Sequence, residues 1–201
     1  MARLRDIESK TLPVGALLDA DWARFSSYSG IARRRRMRDS LSFRFLPNVL
    51  IRRAHAFHKS GGVFGAVLSK LACLMLFVLY GLEYPARLCI GPGLVIFHTQ
   101  GTILGANRIG ANASIYQQVT LGAVQPDFQY TAALRPTIGD NVSLTAGAKV
   151  IGGITVGDGS VVGANAVVLD DVPANTLAVG VPARHIPRDA SVDATTSSPE
   201  T

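Results

Sequence analysis

From residue 90 to residue 168 an aliphatic side chain recurs at a fixed interval. The positions are Ile90, Ile96, Ile103, Ile109, Ile115, Leu121, then Ile138, Leu144, Val150, Val156, Val162 and Val168. Every step is six residues except a step of seven between Ile96 and Ile103 and a step of 17 between Leu121 and Ile138. A helix would repeat near 3.6 and a half-buried strand at two, so neither explains the pattern. A six-residue period is the mark of a β-helix, in which each short strand turns one aliphatic residue inward and then bends at a corner. Glycine follows the marked residue at Gly91, Gly110, Gly122, Gly139, Gly157 and Gly163, where a tight turn is least strained by a residue without a Cβ. With three strands to a coil, the marked positions supply about four coils that share one apolar core by stacking. The predicted fold is mainly β, a parallel β-helix of hexapeptide repeats behind a small helical N-terminal region.

The two irregular steps are where such a scaffold extrudes loops, and extruded loops on a rigid frame commonly carry function. The large break spans residues 123–136, AVQPDFQYTAALRP. The small break contains His98, the one ionisable residue in LVIFHTQGTILG. A histidine among aliphatics is either a core residue with a hydrogen-bond partner or a group held for chemistry. A neutral imidazole near working pH is suited to taking a proton from a hydroxyl nucleophile.

Residues 1–82 read as helical, basic and apolar. Asp19 or Asp21 is the expected N-cap of a first helix that stops at Gly30. A second helix starts near Pro47 and buries Leu46, Leu50, Ala54 and Phe57, leaving Arg52, Arg53, His55 and Lys59 on other faces. The apolar stretch after Gly62 is interrupted by Lys70, and its unbroken run, Leu71 to Leu82, is too short to cross a bilayer. It reads either as a helix buried on the main domain or a neighbouring subunit, or as a helix lying against the cytoplasmic leaflet. Five of the 20 Lys and Arg sit in residues 33–38, RRRRMR, out of a net charge of +6, a local asymmetry that fits peripheral contact with an anionic membrane. Residues 83–187 form the β-helix domain, and 188–201 are polar with no core and are expected to be disordered.

Several classes are excluded. Two cysteines, Cys73 and Cys89, make no disulfide framework and no C-x-x-C metal pair; both read as packing residues. No metal site is expected, since His55 and His58 lack further ligands. No phosphate-binding glycine fingerprint and no nucleic-acid motif accompany the arginines. The N-terminus has no secretory h-region, and a cytoplasmic setting is expected.

The segments FHTQGTILG, ASIYQQVTLG, TAGAKVIGGITVGDGSVVGANAVV and VPANTLAVGVPARHI together resemble the serine acetyltransferase-like branch of the left-handed β-helix acetyltransferases. That branch includes enzymes that O-acetylate sugars of bacterial surface polysaccharides. The resemblance covers residues 83–187 and implies a left-handed coil, a homotrimer, and acetyl-CoA as co-substrate. It implies His98 of an H-x-x-G stretch as general base and Glu83, fifteen positions earlier, as its acidic partner. Backbone contacts to acetyl-CoA would fall near Ala123, Ala146 and Ala164. Arg135 stands where serine acetyltransferases carry a second active-site histidine, and Phe97 where they carry an Asp before the catalytic histidine. Arg135, Phe97 and Gln118 are therefore the expected acceptor-facing residues. Arg135 has three readings: a loop-anchoring salt bridge, a clamp on an acceptor's anionic group, or a partner of the CoA phosphates. The expected reaction is direct acetyl transfer to a sugar hydroxyl of a surface polysaccharide or its precursor, at the inner face of the membrane. Serine O-acetylation is the alternative enzyme, and a non-catalytic scaffold the alternative class.

Overall fold

The computed structural model describes residues 12–30 and 33–188. The tail expected to be disordered lies outside the described residues beyond Arg188.

Among the described residues four helices precede the repeat: α1 (Val14–Tyr28), α2 (Met37–Ser40), α3 (Leu46–Ser60) and α4 (Gly62–Tyr80). The α1 helix starts directly after an extended Pro13, so neither Asp19 nor Asp21 is its cap. Asp21 is instead fully buried and paired with Arg52 of α3, which is buried too, with Nη2 at 2.8 Å from Oδ1 and Nε at 3.0 Å from Oδ2. The expectation that Arg52 faces outward is corrected by what else it reaches. Its guanidinium donates to the carbonyls of Ile90 (2.5 Å) and Gly91 (2.7 Å), while Asp21 accepts the Leu94 amide at 2.9 Å and Asn48 donates to the Leu94 carbonyl at 2.9 Å. Each guanidinium nitrogen of this buried pair reaches an acceptor, the condition under which burying two charges is tolerated. Trp22, Phe25 and Phe45 fill a second small core, with Trp22 edge-on to Phe45 at 5.3 Å.

The α4 helix packs on α3 through a narrow stripe of Gly65, Ser69, Ala72, Leu76 and Tyr80. A Cβ at Gly65 would lie 2.6 Å from the Phe57 carbonyl oxygen, so the close approach of the two helices requires glycine there. Ser69 donates to the Ala54 carbonyl at 3.0 Å. Apart from the half-buried Leu68 and Cys73, the rest of α4 is open, which corrects the expectation of a helix buried within this chain. Its large apolar residues outnumber the places on α3 that could receive them.

After Gly81 the chain forms three parallel sheets wrapped around one core. Face A stacks β1 (Leu82–Glu83), β4 (Thr102–Leu104), β7 (Thr120–Gly122), β10 (Lys149–Ile151) and β13 (Val167–Val168). Face B stacks β2 (Cys89–Ile90), β5 (Arg108–Ile109), β8 (Thr137–Ile138) and β11 (Thr155–Val156). Face C stacks β3 (Val95–Ile96), β6 (Ser114–Ile115), β9 (Ser143–Leu144), β12 (Val161–Val162) and β14 (Thr176–Val179), and ends in the antiparallel β15 (Arg184–Pro187). Inward residues lie directly over one another: Ile109 on Ile138, Ile115 on Leu144, Leu121 on Val150. The mainly β, coiled fold is therefore as the period predicts.

One rung differs. Ile103 is 37% exposed, and Leu104 is the fully buried residue paired with Leu121. The chain spends eight residues, not seven, between the inward Ile96 and Leu104, and the extra one is taken up in the turn containing His98. Because strand side chains alternate, a one-residue slip moves Ile103 to the outer face. Cys89, expected to pack, is likewise outward on β2 and exposed, whereas Cys73 is half-buried.

Two outcomes follow from this packing. Leu104→Ala should cost about 2–5 kcal/mol in denaturant unfolding and Ile103→Ala less than about 1 kcal/mol; the reverse order would refute the register. Arg52→Ala, which leaves Asp21 buried and unpaired, should cost about 3–5 kcal/mol by the same measurement.

Candidate active site

His98 sits in the turn that leaves face C after β3 and enters face A at β4, and its side chain is exposed. The turn closes on Gly101, whose φ of +67° is the left-handed conformation that glycine adopts without strain. The Gly101 amide donates to the Gly81 carbonyl at 3.0 Å. That bond ties the histidine turn to the point where α4 becomes β1, two residues before Glu83. Glu83 points outward on β1, opposite the outward Ile103. The structure thus brings Glu83 and His98 to the same end of face A on successive coils, but no hydrogen bond or ion pair joins them.

Gln118 lies one coil further on at the same corner. Its φ of +59° is unusual for a residue other than Gly, Asn or Asp, and its Cγ would be 3.4 Å from a Cβ at Gly101. Its amide donates to the Gln100 carbonyl at 3.0 Å and its own carbonyl accepts Lys149 Nζ at 2.7 Å. Ala146 and Ala164 share this corner, where the Asn165 amide bonds the Ala146 carbonyl at 2.9 Å. Ala123 does not. It follows β7 and stands at the opposite edge of face A, so the three alanines flank that face rather than line one corner. Gln117 Oε1 is a buried side-chain oxygen with no hydrogen-bond partner among the described residues.

Phe97 does not face His98 alone. Its ring stacks on Tyr116 at 4.5 Å between centroids and meets Tyr28 of α1 edge-on at 5.1 Å. Arg24, one turn before Tyr28, donates to the carbonyls of Gly93 and Ala113, each at 2.9 Å, and to Ser114 Oγ at 2.7 Å. Helix α1 is therefore pinned along face C beside the histidine turn. Sequence reasoning did not find Tyr28 or Arg24, because no periodicity links positions this far apart to the repeat.

Arg135 is hydrogen-bonded within its own loop and to the corner beside it. Nε donates to Asp127 Oδ2 at 3.1 Å, Nη2 to the Asp127 carbonyl at 2.9 Å and Nη1 to the Gly105 carbonyl at 3.1 Å. Its guanidinium covers the Tyr130 ring at 3.7 Å, and Arg87 covers the same ring at 5.1 Å. Tyr130 donates to the Ala106 carbonyl at 2.6 Å, and burial pushes its hydroxyl up to about 12. Of the three readings of Arg135, the loop anchor is the one the geometry supports. It fastens loop 123–136 at the corner after β4, across face A from His98, and leaves Phe128 almost wholly exposed at the tip.

The comparisons with known proteins place this geometry. The bacterial transferase hexapeptide family (six repeats) matches residues 135–170. The serine acetyltransferase of Helicobacter pylori is 42% identical over 140 residues, covering 69% of this chain and 78% of that protein. The chain belongs to the serine acetyltransferase family. Soybean serine acetyltransferase superposes with a TM-score of 0.75 at 29% identity, over 91% of this chain and 72% of that one. The Neisseria gonorrhoeae serine acetyltransferase gives 0.76 at 25% identity, over 90% and 70%. The fold is the left-handed parallel β-helix of these enzymes, and the protein is an acetyl-CoA-dependent acyltransferase. Among the described residues no group of His, Cys, Asp and Glu could hold a metal ion.

Burial pushes the Asp127 carboxyl upward, but the bonds it receives from the Thr131 amide, Arg135 and the Thr131 hydroxyl outweigh this and leave it below its ordinary value. A lowered carboxyl pKa stabilises the folded loop above the ordinary carboxylate pKa, and the contribution is lost as pH falls through the lowered value. Proteolytic cutting within residues 124–134 should therefore stay constant from neutral pH down to about 4 and rise only below that. A rise beginning near pH 6 would contradict this ion pair as the anchor.

Proposed function

We propose that this enzyme transfers the acetyl group of acetyl-CoA directly to the hydroxyl of L-serine, as a homotrimer with its sites between subunits. The observation that carries the acceptor is the match to serine acetyltransferases along most of the H. pylori enzyme. The sugar acceptor expected from sequence is not what these relatives support.

His98 takes the hydroxyl proton as the acceptor oxygen attacks the thioester carbonyl, and later returns it to the departing thiolate sulfur. Glu83 holds the imidazole in the right tautomer and stabilises its charged form, acting as a positioning residue. Catalytic hydrogen bonds are often open before substrates bind, and Glu83 and His98 lie on adjacent coils. The residues at hand fit a CoA chain along face A. Ala146 and Ala164 offer a small-residue corner on one side, and Ala123 and the Arg135-anchored loop a wall on the other. The exposure of His98 and of Phe128 on the extruded loop supports a neighbouring subunit as the cover over the site.

A second acceptor reading rests on one observation. The aromatic group of Phe97, Tyr116 and Tyr28 beside His98 gives an apolar flank suited to the C–H face of a sugar ring. Arg135, tied to Asp127, offers no cation to an amino-acid carboxylate from this chain's own loop.

Purified protein given acetyl-CoA and L-serine should release CoA and form O-acetylserine. Turnover with a sugar acceptor and none with serine would overturn the serine assignment. His98→Ala should lower kcat by about 10²–10⁴-fold in a folded assembly, and unchanged turnover would remove His98 from the chemistry. Glu83→Gln should lower kcat with a smaller change in KM, as expected of a residue that positions the base.

A further inference from the structure

Helix α4 presents an apolar surface that nothing in this chain covers. Val63, Phe64, Val67, Leu71, Leu74, Met75, Phe77, Val78 and Leu79 are all exposed, Phe64 to 77%. At 100° per residue these positions sweep roughly 200° of the helix circumference, while the stripe packed on α3 occupies the remainder. The patch does not stop at α4. Phe43 rests on Tyr80 at 5.0 Å between ring centroids, which sets the turn around α2 beside the C-terminal half of α4. That turn carries three more exposed apolar side chains, Met37 at 89%, Leu41 and Phe43. Arg34, Arg36, Arg38 and Arg44 are exposed between and beside them and make no salt bridge among the described residues.

We propose that this surface seats the enzyme on an anionic lipid bilayer, with α4 lying in the plane of the interface and the arginines of the α2 turn at headgroup level. Three features choose lipid over a second copy of the chain. A protein partner covers one stripe of a helix, whereas fluid acyl chains wet a 200° arc. Between residues 33 and 82 the only acidic residue is Asp39, which is buried and bonded twice by Arg33 at 2.6 Å. A copy docking through the same surface would bring a second acid-free set of cations, while anionic headgroups supply the missing charge. Lys70 is exposed at the margin of the arc, where its long stem reaches the headgroups while α4 stays buried in the acyl boundary.

Spanning is excluded by the connections. The helix is 19 residues long and apolar enough to cross a bilayer. However, α3 packs along it and is fixed to the β-helix by the buried Arg52–Asp21 pair, so α4 cannot leave the protein surface to cross. The placement also has a consequence for the reaction. Because α4 runs through Gly81 into β1, the end of face A that carries His98 and Glu83 is the end nearest the membrane. That consequence rests on the site reading above; the docking itself does not.

The test is co-flotation of the full-length protein with vesicles of phosphatidylcholine alone and of phosphatidylcholine mixed with phosphatidylglycerol. Binding to the mixed vesicles, weakened by added salt, is expected. Replacing Arg34, Arg36, Arg38 and Arg44 with Gln should lower that binding on the order of a thousandfold, and Phe64→Ser with Leu71→Ser should lower it on either side of any salt change. All six positions are exposed, and unchanged circular dichroism checks that the variants fold. No binding to mixed vesicles, or equal binding to both kinds, overturns the proposal. So does a solution mass by light scattering that falls in the Phe64→Ser, Leu71→Ser variant, because that result assigns the surface to a second copy.

Discussion

Everything in the β-helix depends on inward aliphatic residues lying one above another in three columns. Each strand is only two to four residues long and could not hold together by itself. Its amides and carbonyls are satisfied by the coils above and below, and its single inward side chain is buried only because the neighbouring coils supply the rest of the core. A coil therefore cannot shift without exposing a column, and extra residues have one outlet, the corners. That is why the histidine turn and the loop at 123–136 are both corner insertions. It is also why they can hold chemistry in fixed relation: the frame beneath them has one register.

The open first coil needs an end cover, and the helical region provides it through charge as well as apolar contact. Arg52 and Asp21 together bond Ile90, Gly91 and Leu94, the backbone at the turns of the first coil. A purely apolar cap could slide, whereas a buried ion pair with each guanidinium nitrogen bonded allows one docking position. Arg24 adds a second attachment on face C. The helices are thus part of the site's construction: one delivers Tyr28 to Phe97, and another ends at the residue hydrogen-bonded to the histidine turn.

How much of this could be read from the chain varies with the range of the interaction. The period was legible because each inward residue is dictated locally, by the six-residue path around one coil. The Ile103–Leu104 rung was not, because two adjacent aliphatics fit the inward place equally well and only the length of the preceding turn decides between them. His98 and Gly101 stood out because the break in period is itself a local signal. Arg52 looked like a surface residue because its partner is 31 positions away, and helical spacing carries no information about a carboxylate on another helix. Arg135 could be read three ways for the same reason: Asp127 is in the same loop, but only the fold shows the loop closing on itself at Gly105.

The commitment of Arg135 bears on how acceptor selection must work here. A guanidinium bonded to a carboxylate and two carbonyls and stacked on an aromatic ring has little left to offer a ligand. Recruiting it would release Asp127 and unfasten the loop that walls face A, so binding an acceptor anion through Arg135 would weaken the donor site. If Arg135 keeps these bonds, an acceptor carboxylate or sugar is met by a neighbouring subunit or by the Phe97, Tyr116 and Tyr28 side of His98. Phe97, Tyr116 and Tyr28 lie where face C meets α1. The choice between a charged and an aromatic acceptor site is therefore a choice between the subunit boundary and the junction with α1. In the second case, residues that hold α1 in place, Arg24 foremost, act on specificity without touching the acceptor.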